Sequence, residues 1–369
     1  MTKVMKEMKS LDKLRWEQFH IGDIFSVERP SARNKDDYED GDVPFVASGS
    51  VNNGVQRCCK PKGDEKLDKR ECITVSPVDG STFYQPYDFL GRGGAGSSIL
   101  LLRSVRNEPL SGHFISRMIS QTCSKYTYGH MGNKESIKRE IIQLPITDEH
   151  KPDYQYMAYY SDRKRIALLE KYRAYAKKQI TELGGCSKVP AIDQKKWKAF
   201  LISDIFDILP GKRLVAADTT PGNRPFIGAL DNSNGVARFV SDTNVSLDKN
   251  VLGVNYNGNG MVIGFYHPYE CIFSDDVKRF HLKSHEDNAF VLLFMKVAIL
   301  QQKSKFGYLY KFNAERMANT RIMLPVTDNG TPDYEYMEQY AKNMMLRKYK
   351  QYLAYLDSKN KTDTIATND

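Results

Sequence analysis

The sequence lacks the features that place a chain in a membrane, in a disulfide scaffold or among the common nucleotide-using enzymes. Its longest apolar stretches are short, as in Phe290–Met295, and nothing is long enough to span a bilayer. The basic segment Met1 to Lys13 has no apolar core and reads as no signal peptide. Six cysteines, Cys58, Cys59, Cys72, Cys123, Cys186 and Cys271, include no C-x-x-C pair. That excludes a zinc ribbon and a disulfide framework, and suits reduced thiols in a cytoplasmic protein. There is no G-x-x-x-x-G-K-[ST] phosphate loop and no Asn/Asp-Pro-Pro-Tyr/Phe tetrapeptide of amino-methyltransferases. The glycine run Gly91–Gly96 lacks the strand–turn–helix setting of a dinucleotide site and reads as a loop. His281 and His285, with His267, have no convincing further ligand. They read as surface histidines, the first on a strand around Lys278–Leu282, so no metal is expected.

Basic residues outnumber acidic ones, 54 to 45, for a formal net charge of +9 over 369 residues. Length allows two ordinary domains, and the charge favours a polyanion, nucleic acid before membrane. An internal repeat organises the whole chain. Trp16-Glu17-Gln18-Phe19-His20-Ile21-Gly22-Asp23-Ile24-Phe25 returns 181 residues on as Trp197-Lys198-Ala199-Phe200-Leu201-Ile202-Ser203-Asp204-Ile205-Phe206. Pro44-Phe45 and Asn53-Gly54-Val55 return at the same spacing as Pro225-Phe226 and Asn234-Gly235-Val236. Leu144-Pro145-Ile146-Thr147-Asp148 and Pro152-Asp153-Tyr154-Gln155-Tyr156-Met157 return 180 residues on, as Leu324-Pro325-Val326-Thr327-Asp328 and Pro332-Asp333-Tyr334-Glu335-Tyr336-Met337. Matching patches in one order define a duplicated domain.

Each copy opens with short β-like runs broken by Gly, Asn, Pro and Asp, such as Glu71–Val75 and Val251–Tyr256. Single helical stretches, Gly112–Gln121 and Ala289–Gln302, lie among them. The fold class is therefore mixed, α/β or α+β. Each copy closes with a long helix, with Pro152 and Pro332 in its first turn and Thr331 as an N-cap. The first runs from Asp153 to Leu183 and stops at Gly184-Gly185; the second, to about Ser358, is read as slightly shorter. Apolar stripes follow three- and four-residue spacing: Ile166, Leu169, Tyr172, Ala176, Ile180 and Leu183 in one, Met337, Ala341, Met345, Tyr349, Tyr352 and Leu356 in the other. Helices this long need a partner, and the simplest is the other copy, giving an antiparallel coiled coil with pseudo-two-fold symmetry. The expected layout is a first domain over 14–150, a helix over 152–184, a linker over 185–196, a second domain over 197–330, a helix over 332–358 and a disordered tail over 359–369.

Duplex DNA has the same two-fold symmetry, so such a chain places one domain on each of two inverted half-sites while the helices fix the spacing. The segments expected to touch DNA are polar, basic and glycine-bearing. In the first copy they supply Ser48, Ser50, Asn52 and Asn53, then Arg92, then Lys125, Tyr128, His130, Asn133 and Lys134. In the second they supply Asn232 and Asn234, Asn257 and Asn259, then Lys303, Lys305, Tyr308, Tyr310 and Lys311. Lysines and arginines reach phosphates, while Arg and Asn can pair bidentately with guanine and adenine. The copies differ most in these segments: Gly129-His130-Met131-Gly132-Asn133 stands opposite Leu309-Tyr310-Lys311-Phe312-Asn313. Two different half-sites, and so an asymmetric bipartite target, are expected.

The duplicated Trp-x-x-Phe-x-Ile-x-Asp-Ile-Phe opening and the Leu-Pro-Ile/Val-Thr-Asp with Pro-Asp-Tyr-x-Tyr-Met segment resemble the specificity subunits of type I restriction–modification systems and the related type IIB subunits. The resemblance covers residues 14–358. It implies two tandem target recognition domains joined by the helix pair, and no catalysis in this chain. It also implies methyltransferase subunits, two of them, and a restriction subunit as partners, in a bacterial or archaeal cytoplasm. S-adenosylmethionine would then belong to the methyltransferase chain, and ATP and Mg to a restriction subunit of a type I system. The competing readings are a stand-alone DNA-modifying enzyme and a protein-interaction scaffold.

Overall fold

Alternation of short, deeply buried strands with glycine and asparagine turns builds the first copy. Its strands are β1 (Trp16–His20), β2 (Phe25–Glu28), β3 (Asp40–Val46), β4 (Val55–Cys59), β5 (Cys72–Val75), β6 (Thr82–Gln85), β7 (Leu90–Gly91), β8 (Leu100–Ser104) and β9 (Ile141–Pro145). Helices α1 (Ile21–Ile24), α2 (Gly112–Cys123), α3 (Lys134–Arg139) and the long α4 (Tyr154–Leu183) complete it. The second copy repeats the order with β10 (Trp197–Leu201), α5 (Ile202–Ile205), β11 (Phe206–Pro210), β12 (Pro221–Ile227), β13 (Val236–Val240), β14 (Val251–Asn255), β15 (Gly264–His267), β16 (Ile272–Phe273), β17 (Val277–Leu282), α6 (Ala289–Leu300), α7 (Ala314–Asn319), β18 (Arg321–Pro325) and α8 (Tyr334–Ile365). This computed structural model describes residues 9–96, 98–104, 111–185, 187–258 and 260–365, with side chains to 358. Cys186 and Asn259 lie outside the described residues.

The sheets of the two copies have identical connectivity. A four-stranded sheet runs β2-β8-β5-β6 in one and β11-β17-β14-β15 in the other. A three-stranded sheet runs β4-β3-β7 and β13-β12-β16, each with a parallel pairing of its last strand. A third pair, β1-β9 and β10-β18, joins the first and last strands antiparallel, with Trp16 opposite Pro145 and Trp197 opposite Pro325. Strands β5 and β14 are buried along their whole length, as expected of central strands covered on both faces. Their cores place Ile73, Val75, Leu102, Ile115 and Ile119 together in one copy, and Leu252, Val254, Phe280, Leu292 and Met295 together in the other.

The chain divides into two compact units, Met1–Tyr172 and Arg173–Asp369, with α4 contributing to both. Within the second unit the end of α4 lies beside α8: Arg173 bonds Asp357 at 2.6 Å, Tyr175 meets Tyr349 with ring centroids 6.1 Å apart, and Ser187 accepts from Asn343 at 2.9 Å. Partners on α8 recede as the chain advances from Arg173 through the end of α4 to Ser187.

Several expectations need correction. Pro152 and Pro332 precede the helices, in bridges to Ile146 and Val326. The N-caps are Asp153 and Asp333, whose Oδ1 atoms accept from the backbone N–H of Tyr156 and Tyr336 at 2.9 and 3.0 Å. Thr331 instead bonds Thr327. Helix α8 is longer than α4, 32 residues against 30, and continues through 359–365, where a tail was expected; residues 366–369 lie outside the described residues. Of the expected stripes, Ala176, Met337 and Leu356 are buried, Leu169, Tyr172, Ile180, Leu183, Ala341, Met345 and Tyr349 are half-buried, and Ile166 and Tyr352 are exposed. Leu346 is buried where the spacing had not placed it. His281 is no surface histidine: Nδ1 meets Asp287 at 2.6 Å and Nε2 meets Asp248 at 3.0 Å. His285 stacks on Tyr334, His267 is buried against Phe273, and no metal-holding cluster occurs among the described residues.

Candidate nucleic-acid interface

Between the core helix and the short helix that follows it, each copy throws out a tight turn of exposed aromatic and basic side chains. In the first, Thr127 and His130 close the turn through reciprocal backbone bonds, and the His130 ring stacks on Tyr126, 6.0 Å away. Tyr126 is fixed by its hydroxyl, 2.5 Å from Glu140, and Lys125 pairs with the same carboxylate at 2.7 Å. Burial and then that hydrogen bond push the Tyr126 hydroxyl up to about 12, so it stays a donor at any ordinary pH. Tyr128, at the tip, is 86% exposed. In the second copy Gly307 and Tyr310 close the equivalent turn, and Tyr310 stacks on Phe306 at 5.7 Å. Arg316 covers the Tyr310 ring at 3.9 Å and donates to the Lys311 carbonyl at 2.8 Å. The tip presents Tyr308, 83% exposed, and Leu309, 95% exposed. Lys303 and Lys305 stand exposed on the approach, and Lys311 lies 5.6 Å from the Tyr308 ring. A rigid aromatic tip ringed by ammonium groups can meet phosphates with its rim and base faces or edges with its centre.

The asparagines mostly have other work. Asn53 and Asn234 adopt left-handed backbone, at φ of 57° and 53°, in turns that hand the chain to β4 and β13. The Asn53 amide donates to Gln85 Oε1 at 3.0 Å, and that of Asn234 to the Tyr269 hydroxyl at 2.8 Å. Asn133 caps α3 by accepting from Glu135 and Ser136, both at 2.9 Å. Asn232 bonds Asp231, Asn257 bonds Asp276, and Ser48 donates to the Ser98 carbonyl. These side chains position loops before they can read bases. Asn52, also left-handed, and Ser50 remain exposed beside the Asn53 turn. Arg92 is half-buried behind the glycine run, and Lys134 is half-buried in the first turn of α3.

A second shared feature lies on the long helices. Trp16 stacks on Phe114 at 6.2 Å, and Phe114 meets Tyr160 edge-on at 5.7 Å. Trp197, Phe294 and Tyr340 repeat this at 6.3 and 5.7 Å. Each trio floors an open trough, of about 660 Å³ in the first unit and about 650 Å³ in the second.

The model of the type I restriction modification DNA specificity domain matches this chain twice, over residues 13–174 and 194–352. The chain belongs to that family. The specificity subunit S.BcgI of a type II restriction enzyme from Heyndrickxia coagulans is 39% identical over 335 residues, 90% of this chain and 95% of the relative. Among solved structures, the S subunit of a type I restriction-modification system from M. genitalium superposes with a TM-score of 0.44 at 14% identity, covering 96% of both chains. The HsdS subunit from Thermoanaerobacter tengcongensis gives 0.32 at 14% identity, covering 93% of this chain and 91% of that one. Both matched spans of the specificity-domain family take in one globular part and most of its long helix, the unit that the repeat defines.

Within this family assignment, the tips gather Lys125, Tyr128 and His130 in one copy and Lys303, Lys305, Tyr308, Tyr310 and Lys311 in the other. Leu309 and Met131 carry no polar group to mark them, and Arg316 lies in the short helix beyond the turn, folded back over Tyr310 by the tertiary structure. The available signal was an aliphatic residue between two tyrosines in a lysine-flanked turn.

Proposed function

We propose that this chain is the DNA sequence-recognition subunit of a restriction–modification complex, non-catalytic itself, with each globular part reading one half of a bipartite, asymmetric target. The observation that carries the reading is the pair of equivalent turns, built on one scaffold and tipped with different side chains. Identical connectivity around both tips supports two readers of one kind, and unlike residues at the tips support two unlike half-sites. Contacts from the end of α4 to α8 support pairing of the long helices as an antiparallel coiled coil. Such a pair relates the copies by a pseudo-two-fold axis and sets the spacing between half-sites.

The partners in this reading are two methyltransferase subunits, one per copy, and a restriction subunit. The two aromatic-floored troughs support a count of two. S-adenosylmethionine is held by the methyltransferase chains; ATP and Mg are used by a restriction subunit in the type I form of the assembly. The relative from a type II enzyme favours the type II branch. No helix among the described residues is long and apolar enough to cross a membrane, which agrees with work on cytoplasmic DNA.

Insertion of four residues, one helical turn, after Ala176 and after Tyr352 tests the reading. Sequencing of methylated positions in cells carrying the intact system should then return unchanged half-sites with a longer gap between them. Altered half-sites would refute the helices as a ruler. Binding of the assembled complex to duplex DNA that ignores salt would refute DNA reading in favour of a protein scaffold.

A further inference from the structure

The two troughs share a floor and differ in their walls. In the second, the wall positions are Leu293 and Val297 on α6 and Met344 and Met345 on α8. The residues 180 positions earlier, His113 and Arg117 on α2 and Lys164 and Arg165 on α4, line the first. These four positions change in the same sense, from cationic or titratable to apolar, while the Trp–Phe–Tyr floor is kept to within a few tenths of an ångström; Met118, Leu168 and Leu169 give the first trough apolar lining as well. Both tryptophans also donate to the same kind of acceptor, Leu11 and Ile192 carbonyls at 3.1 Å. A packing requirement internal to the fold would have kept the walls alike as it kept the floor. The walls are solvent-facing and lie outside the packing that keeps the floor.

Each trough runs between two helices, with a tryptophan of the two-stranded sheet in its floor, so the element that fits between its walls is a third helix laid along the pair. The second trough leaves Val297 and Met323 about half exposed, apolar area that association covers, and methionines adapt their shape to an incoming stripe. In the first, burial and the nearby Arg165 lower the His113 pKa, leaving that ring neutral. The wall's charge is then that of Arg117, Lys164 and Arg165, offset in part by Asp162, 3.7 Å from Arg165.

We propose that each trough seats an amphipathic helix of the partner methyltransferase, carrying an apolar stripe flanked by carboxylates, and that the seats are unequal. In the first, the carboxylates pair with Arg117, Lys164 and Arg165; in the second, the stripe alone is held. Two identical partner chains then bind by different physics, one sensitive to salt and one not. The proposal rests on the specificity-subunit reading above.

The sequence supplies its own reporters, because its two tryptophans are Trp16 and Trp197, one on each floor. The methyltransferase chain that co-purifies with this subunit is titrated onto full-length W197F, which reports at Trp16, and W16F, which reports at Trp197. Assembly is followed in parallel by sedimentation. Both emissions should respond. Raising salt from about 0.05 to about 0.5 M should weaken the response at Trp16 about tenfold and that at Trp197 less than about threefold, as rim charges are screened. Arg117→Glu should weaken the Trp16 response alone. If either tryptophan substitution unfolds the chain, the unmutated protein labelled with 5-fluorotryptophan gives the same two readings by fluorine NMR. Equal salt sensitivity at both sites overturns the proposal. So does assembly with neither tryptophan responding, which leaves DNA reading intact; absence of any assembly overturns both.

Discussion

The two copies keep one half-buried carboxylate and neutralise it from different places. Asp68 and Asp248 stand 180 residues apart, each just before a central strand and each bridged to the segment ahead of the glycine-rich or β17 turn, at Phe89 and Cys271. In the first copy the cation comes from the loop after β2. Arg33 donates to Asp68 at 2.7 Å and Glu65 at 2.6 Å, and spends its other hydrogens on the carbonyls of Gly91 and Lys66. In the second copy Leu214 stands at that place in the repeat. The cations come instead from β17, where Arg279 and His281 reach Asp248 at 2.8 and 3.0 Å. The fold demands a cation at this point and is indifferent to which element supplies it. The loop after β11, relieved of that pairing, is free to change while the sheet beneath stays fixed.

The comparison breaks most sharply at Arg33. Its side chain is almost wholly buried, and Arg33→Met strands two carboxylates, so the first unit should lose about 3–5 kcal/mol in denaturant unfolding. Arg279→Met should cost less, because His281 remains to share the charge on Asp248. Equal losses would mean the two solutions are interchangeable. The tips come next. Tyr308→Ala with Leu309→Ala should cost the assembled complex about 1–3 kcal/mol in DNA binding, and Tyr128→Ala a smaller part of that range, read as loss of methylation at one half-site in each case. Lys303 and Lys305 changed together to Gln should lower the salt slope of binding by about 2 and leave half-site choice intact.

The smallest effect is a loss of stability on raising pH just above the ordinary histidine range, confined to the second copy. Burial opposes a charged His281, but its bonds to Asp248 and Asp287 outweigh burial and raise its pKa above the ordinary 6.5. The stabilisation is therefore complete below that ordinary value and is lost as pH rises through the raised one. The second unit should melt progressively lower across that interval, and His281→Gln should flatten the trend. The first unit, held by a guanidinium whose pKa is itself raised by Glu65 and Asp68 against the cost of burial, should show no such change.

The repeat, the long helices, their glycine stop at Gly184 and the lysine-rich tips were legible because duplication writes each signal twice. The internal electrostatics were not. Asp68 and Arg33 are 35 residues apart, and nothing local announces the pair. Asparagine carries two meanings in a sequence: the same short amide that can read adenine also tolerates left-handed backbone and caps helices, as Asn53, Asn234 and Asn133 do. Periodicity likewise located the helices but not their buried faces, since α4 and α8 each meet a globular part along one stretch and another helix along the next. Ile166 and Tyr352 fit the spacing and stand exposed, while Leu346 breaks it and is buried.

The antiparallel pair that sets Trp16 opposite Pro145, and its twin that sets Trp197 opposite Pro325, brings the chain out of each globular part beside the point where it went in. Everything between lies on a closed excursion hung from a two-strand clasp. A genetic crossover that falls in the two flanking stretches therefore carries away a whole reader and delivers another to the same mounting, with no seam left inside a sheet. A lineage built this way can change what it recognises by trading cartridges, without waiting for point mutations to remodel a surface.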